Sequence, residues 1–194
     1  MAEKYLVVIG SSLQDAVSAL QQGEIIALPT EAVYGLSCDP DNQAAVEKLL
    51  ALKQREPGKG LILVSDDLSR LLPYIAPLTS AQTEKLLATW PGPITWVVPK
   101  APSLPNWISG DHETIAIRVT AHPLFRTLCN TFKKPVVSTS ANRSSLPPAK
   151  TAADVAAAFA NSTPSIAYIL DGALGKEAKP TQIRNLITDQ LLRE

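Results

Sequence analysis

Cysteine and histidine are scarce in this 194-residue chain, with two of each. The cysteines, Cys38 and Cys129, are too few for a disulfide scaffold and lack metal-ligand spacing. Nothing near Cys38 supplies a base or an electropositive setting, so both are expected to be small buried side chains. The histidines are His112 and His122. Ser109-Gly110-Asp111-His112 has the letters of a hydrolase triad, but triad members converge in space rather than in sequence, and a polar turn is the better reading. No apolar run approaches the ~20 residues that cross a bilayer. Met1 to Tyr5 contains no basic stretch leading into an apolar core. A cytoplasmic protein without membrane contact is therefore expected. The phosphate-loop pattern G-x-x-x-x-G-K-[ST] is missing, since Gly58-Lys59-Gly60 has the residues without the spacing, and no G-x-G-x-x-G follows a strand. Neither a P-loop ATPase nor a dinucleotide fold is indicated.

Glycine is also sparse at nine residues, whereas proline is abundant at sixteen, against norms of about 7% and 5%. Many short elements punctuated by proline follow from that balance. The 18 basic and 18 acidic side chains cancel, but unevenly. Residues 51–150 hold twelve Lys/Arg and six Asp/Glu, a balance of +6, and the remainder holds the opposite, −6. A locally basic region can attract anions although the net charge is zero.

Hydrophobic periodicity supplies the elements. Leu13, Ala16, Val17 and Leu20 form a helical stripe over Ser12–Gln22, which Gly23 can end. Residues 24–28 read as a buried strand stopping at Pro29. Asn42 can cap a helix running to Lys53. Residues 61–64 form a second continuous apolar strand. Thr79 with Gln82, and Thr151 with Asp154, have capping-box spacing. Further strands are expected at 94–98, 114–119, 135–138, 166–170 and 183–187, with a helix from Pro123 to Phe132. Strands and helices interleave, so the fold class is α/β: one domain over residues 1–194 on a twisted, open, mixed sheet flanked by helices.

Three polar clusters lie at element ends, where ligands of α/β sheets bind. Pro29-Thr30-Glu31-Ala32-Val33-Tyr34-Gly35-Leu36 follows the first long strand; a proline-initiated turn explains it equally well. Lys53-Gln54-Arg55-Glu56-Pro57-Gly58-Lys59 places three cations within seven residues, suited to a polyphosphate, with Arg as a bidentate fork and Lys as a point charge. Helix C-terminal placement accounts for Lys53 and Arg55 but not for Lys59. Ser138-Thr139-Ser140-Ala141-Asn142-Arg143-Ser144-Ser145 offers hydroxyl and amide groups for a sugar, a base edge or phosphate oxygens, or a simple polar turn. In addition, Arg118 is the lone charge in the apolar run Ile115–Val119. Burying it requires a partner, either a ligand carboxylate or an internal acid such as Glu31.

Taken in order, Pro-Thr-Glu-x-Val-Tyr-Gly-Leu, Lys-x-Arg before a buried strand, Pro91-Gly92-Pro93-x-Thr95, the Arg118 strand before His122-Pro123, and Ser-x-Asn resemble the YrdC/TsaC family. The resemblance runs from about Val17 to Arg193, with a motif-bearing region from about residue 9, and it points to the short single-domain bacterial type. It implies a YrdC-like sheet with a basic concave cavity. It also implies synthesis of threonylcarbamoyl-adenylate and pyrophosphate from L-threonine, bicarbonate or CO2, and ATP, for modification of tRNA beside the anticodon. Carried over residue by residue, the resemblance places Lys53 and Arg55 in catalysis and Thr30, Arg118 and Thr181 around L-threonine. Arg55, Lys59, Thr114, Ser138, Ser140, Asn142, Lys150 and Arg193 fall on the ATP side. No protein metal site is implied, and Mg²⁺ is expected to arrive with ATP. Glu56, Ser145, Ala173 and Pro180 depart from the family pattern. The competing reading is a non-catalytic tRNA- or rRNA-binding maturation factor using the same basic cavity. That reading calls for stacking aromatics among the cations, yet aromatics are 5% of the chain and none lies within 51–73. A hydrogenase-maturation relative would carry acylphosphatase and zinc-finger segments, which this sequence does not have.

Overall fold

A computed structural model describes residues 7–143, 146–177 and 181–193. Its strands are β1 (Val8–Gly10), β2 (Ile26–Pro29), β3 (Tyr34–Cys38), β4 (Ile62–Ser65), β5 (Ile94–Pro99), β6 (Thr114–Val119), β7 (Val136–Ser140), β8 (Tyr168–Leu170), β9 (Gln182–Asn185) and β10 (Leu191–Arg193). The helices are α1 (Leu13–Gln21), α2 (Gln43–Lys53), α3 (Ser80–Leu87), α4 (Asn106–Ser109), α5 (Pro123–Phe132) and α6 (Ala152–Ala158). All ten strands join one mixed sheet in the order β1-β8-β2-β3-β7-β4-β6-β5-β9-β10. The β1/β8, β2/β8, β4/β6 and β5/β9 pairs are parallel, and the rest antiparallel.

The continuous apolar runs are explained by two cores, one on each face. Successive strand side chains point to opposite faces. Ile26 and Leu28 pack with α1 and α5, whereas Ile25 and Ala27 enter the larger core on the other face. Val64 and Val136 join the first core, Leu63 and Val137 the second. Strands buried on both sides need no polar alternation.

The helix signals operate as the sequence indicates. Ser12 and Asn42 accept backbone N–H bonds as N-caps of α1 and α2, and both capping boxes, Thr79/Gln82 and Thr151/Asp154, form completely. Gly23 follows α1 with φ +73°, a left-handed turn that glycine adopts without Cβ strain.

Six elements differ from the sequence reading. Tyr34–Cys38 is not loop but a buried strand forming a hairpin with β2. Its Gly35 and Ser37 hide the strand pattern; a Cβ at Gly35 would lie 3.2 Å from Thr30 and 3.3 Å from Ser138, so small size is what lets these segments meet. Ser138 to Ser140 belong to β7 instead of following it. The last expected strand shortens to Gln182–Asn185, because Asn185 turns the chain into β10 through a bond from Asp189 N–H to its carbonyl. β1, β10 and α4 are too short to leave a periodic signature.

Candidate active site

Sheet alternation builds the site. Ile115, Ile117 and Val119 of β6 turn into the larger core, so Thr114, Ala116 and Arg118 must share the opposite face. On that face helices α1 and α5 pack against β8, β2 and β4. Farther along, a cavity of about 630 Å³ stands open, its floor formed by Ile62 and Val64 of β4, Thr95 and Val97 of β5 and the even-numbered β6 residues. The cavity thus spreads across a sheet face, rather than lying only beyond strand ends.

Nine of the twelve residues assigned from sequence line it: Thr30, Arg55, Lys59, Thr114, Arg118, Ser138, Ser140, Thr181 and Arg193. Four of these are cations brought from a helix end, a short turn, a mid-sheet strand and the last strand. Lys53, Asn142 and Lys150 are not among the lining residues.

Lys53 is 5% exposed. Its Nζ donates to the Ser140 carbonyl, and at 3.0 Å to both the carbonyl and Oδ1 of Asn142. Ser140 Oγ donates to the same Asn142 Oδ1 at 2.7 Å. Lys53 and Asn142 are thus tied to the Ser-x-Asn segment, and the ammonium of Lys53, expected to act in catalysis, bonds to the backbone of that segment. Burial, and then the Arg55 charge, lower its pKa to about 8. Lys150 is exposed, and its backbone N–H donates to Asp154 at the start of α6.

Arg118 is 5% exposed, and its Nη1 donates to Glu31 Oε2 at 2.5 Å. The other carboxylate oxygen accepts from Thr120 Oγ1, whose oxygen in turn accepts the His122 backbone N–H. Burial alone raises the Glu31 pKa, but Arg118 and the Thr120 hydroxyl reverse the shift, and the carboxyl stays below its ordinary range. Arg118 Nε remains buried without a partner. Arg55 repeats the pattern: Nη2 donates to the Gly60 carbonyl at 2.9 Å while Nε is buried and unpaired. Buried polar hydrogens without acceptors are costly, so such groups mark places where a ligand oxygen fits. Arg193 donates to the Thr181 carbonyl at 3.0 Å. Partial desolvation, followed by repulsion from Arg118 and Arg55, lowers its pKa. Guanidinium groups that repel one another across a cavity are stabilised by an anion between them.

Sequence reasoning missed some of the lining. His112 stands at the rim, where a polar turn alone was expected. Buried Thr95 shares a 3.3 Å hydroxyl contact with Thr181; it appeared in a motif, but nothing marked it as a wall residue. Among the departures, Glu56 forms a 3.2 Å ion pair with Lys59 and the Ala173 carbonyl lies 3.0 Å from His122 Nε2. Ser145 and Pro180 lie outside the described residues. Cys38 and Cys129 are buried, and burial raises both thiol pKa values. Among the described residues no group of three or more His, Cys, Asp or Glu could hold a metal, and no helix is long and apolar enough to cross a membrane.

The Sua5/YciO/YrdC family model, described as telomere recombination, matches residues 18–194. The chain belongs to the Sua5/YciO/YrdC family. It is 49% identical over 181 residues to the threonylcarbamoyl-AMP synthase of Chromohalobacter salexigens, covering 93% of this chain and 96% of that one. The corresponding protein of Photobacterium profundum is 48% identical over 185 residues, covering 94% and 98%. Among solved structures, P. abyssi Sua5 complexed with L-threonine superposes with a TM-score of 0.86 at 27% identity, covering 97% of this chain and 56% of that chain. Escherichia coli YciO superposes with a TM-score of 0.80 at 22% identity, which speaks for the fold alone. The α/β fold with an open mixed sheet is thus the family's.

Proposed function

We propose that this protein is a threonylcarbamoyl-AMP synthase, an adenylyl-transferring enzyme acting through one domain. The amine of L-threonine and CO2 from bicarbonate form a carbamate with loss of a proton. A carbamate oxygen then attacks the α-phosphorus of ATP, and the bond to the bridging oxygen breaks to release pyrophosphate. The products are threonylcarbamoyl-adenylate and pyrophosphate. The adenylate serves transfer to tRNA beside the anticodon by other proteins, in the cytoplasm.

The observation that carries this reading is the buried Arg118 at the cavity wall, with its Nε unpartnered and Glu31 occupying its Nη1. A ligand carboxylate of the size of threonine's suits the free edge of that guanidinium. Thr30 Oγ1 donates to the Val33 carbonyl at 2.7 Å, which leaves its lone pairs to accept from the substrate amine or hydroxyl. Thr181, against Thr95 in the cavity wall, is assigned to the same substrate. Arg55 and Lys59 are assigned to the phosphates, and Arg193, Thr114, Ser138 and Ser140 to the rest of the nucleotide, with Lys53 and Asn142 holding the Ser140 segment in place. The carbamate is itself the nucleophile, so no acylated Ser or Cys is needed. Positioning and charge neutralisation carry the transfer. Mg²⁺ is assigned to the ATP complex.

The test is pyrophosphate release from ATP in the presence and absence of each co-substrate. Release that requires both L-threonine and bicarbonate, with threonylcarbamoyl-adenylate recovered, is the expected result. Equal release without threonine would overturn the assignment.

A further inference from the structure

Lys59 differs from the other cavity cations in what holds it. Arg55 and Arg193 bond to neutral carbonyls, and Arg118 bonds to a carboxylate buried with it. Lys59 Nζ instead lies 3.2 Å from Glu56 Oε2, with side-chain exposures of 60% and 77%. Among the described residues Glu56 is the one carboxylate within ion-pair distance of Lys59.

The backbone between the two is pinned. Glu56 precedes the short 3-10 turn Pro57–Lys59, and its carbonyl accepts the Lys59 N–H at 3.3 Å. A Cβ on Gly58 would come within 2.3 Å of Asp111 Oδ2, and Gly60, at φ +63°, sits 2.8 Å from the Ser109 carbonyl by the same measure. Asp111 N–H donates to the Gly58 carbonyl at 3.2 Å, and Leu61 N–H to the Ile108 carbonyl at 2.9 Å. The turn is clamped against residues 108–111, so side-chain rotation, not loop movement, is the freedom left to Glu56 and Lys59.

We infer that Glu56 is an internal competitor for the phosphate arm of the nucleotide: it holds the Lys59 ammonium in the free protein and gives it up to a polyphosphate. This inference rests on the assignment of Lys59 to the ATP phosphates. An exposed pair is easily exchanged, because water and salt already offset most of its attraction. The triphosphate of ATP as a whole carries more negative charge than the single carboxylate it displaces. Glu56 therefore sets affinity for nucleotide without entering the chemistry.

The test measures binding of ATP, AMP and inorganic pyrophosphate by calorimetry to the wild-type chain, Glu56→Gln, Lys59→Met and the double variant. Glu56→Gln should tighten ATP and pyrophosphate about 2- to 5-fold, the range of an exposed ion pair, and leave AMP unchanged. The gain should shrink as salt is raised, and should vanish in the Lys59→Met background. Unchanged or weaker ATP binding by Glu56→Gln, or an equal gain in the Lys59→Met background, overturns the competitor role. Wild-type protein that binds ATP no better than AMP overturns instead the phosphate assignment of Lys59, and the inference with it.

Discussion

Two cations of one cavity are each held by a carboxylate, and the two pairs obey opposite physics. Arg118 and Glu31 have side chains 5% and 6% exposed, whereas Lys59 and Glu56 are 60% and 77% exposed. In the buried pair neither charge can be left alone; removing one partner costs roughly 3–5 kcal/mol, since the other stays desolvated. In the exposed pair water substitutes for either partner, and the coupling is about 0–1 kcal/mol. The first pair is therefore architecture, fixing the direction in which Arg118 offers its free edge. The second is an exchangeable contact. Under the proposed function, the carboxylate of L-threonine would meet a rigid receptor at Arg118, and the polyphosphate of ATP a replaceable counter-ion at Lys59.

Breaking the buried pair has the largest expected effect. Arg118→Ala leaves Glu31 buried with only Thr120 as a partner, so stability should fall by about 3 kcal/mol. If Arg118 also receives the substrate carboxylate, the threonine KM should rise far more than the ATP KM, by about 2 kcal/mol or more of lost binding. Steady-state kinetics with each substrate varied, paired with thermal melts, separates the two consequences. A variant that melts much lower but keeps its threonine KM would reduce the Arg118–Glu31 pair to a structural one.

Arg55→Ala should show the reverse preference at smaller size. Among the described residues Arg55 bonds to the Gly60 carbonyl and to no carboxylate, and burial lowers its pKa. Losing a charge-assisted bond to phosphate costs about 1.5–3 kcal/mol, so the ATP KM should rise at least about tenfold while the threonine KM and the melting temperature change little. A large loss of stability without a change in the ATP KM would place Arg55 with the structural residues.

How much of this could be read from the sequence depends on whether the signal was local. The caps at Asn42, Thr79 and Thr151 are matters of a few adjacent residues, and all form. Arg118 stood out because a single charge interrupts a strand, and strand alternation then decides its face. Its partner could only be narrowed to an internal acid such as Glu31 or a ligand, because pairing across 87 residues is a tertiary fact. The surroundings of Lys53 were out of reach for the same reason. Its spacing from Arg55 suggests a shared ligand, yet the end of α2 points its ammonium at the Ser140–Asn142 backbone, which lies far off in sequence. β3 escaped because Gly35 and Ser37 serve close packing, and close packing has no periodic signature.

Lys53 supplies the subtlest test of the comparison, as a buried cation whose hydrogen bonds to the described residues go to neutral oxygens where Arg118 has a carboxylate. Its pKa falls from the ordinary 10.5 to about 8 because burial, and then Arg55, disfavour the charged form. Between those values the unfolded chain binds more protons at this site than the folded chain does. Stability must therefore rise with pH across the window, by about 1 kcal/mol between pH 8 and 9 from this group alone. Function should move the other way. A neutral amine has two hydrogens for the three oxygens of Ser140 and Asn142, so the nucleotide-side segment is held less firmly and the ATP KM should climb as pH passes 8. Lys53→Met has no such group to titrate. Its melting temperature should lack the wild-type gain from pH 8 to 10, and its ATP KM, already raised, should stay level over the same range. Parallel profiles for the two proteins would mean that the Lys53 ammonium keeps its proton throughout, and that its three oxygen partners hold it as securely as Glu31 holds Arg118.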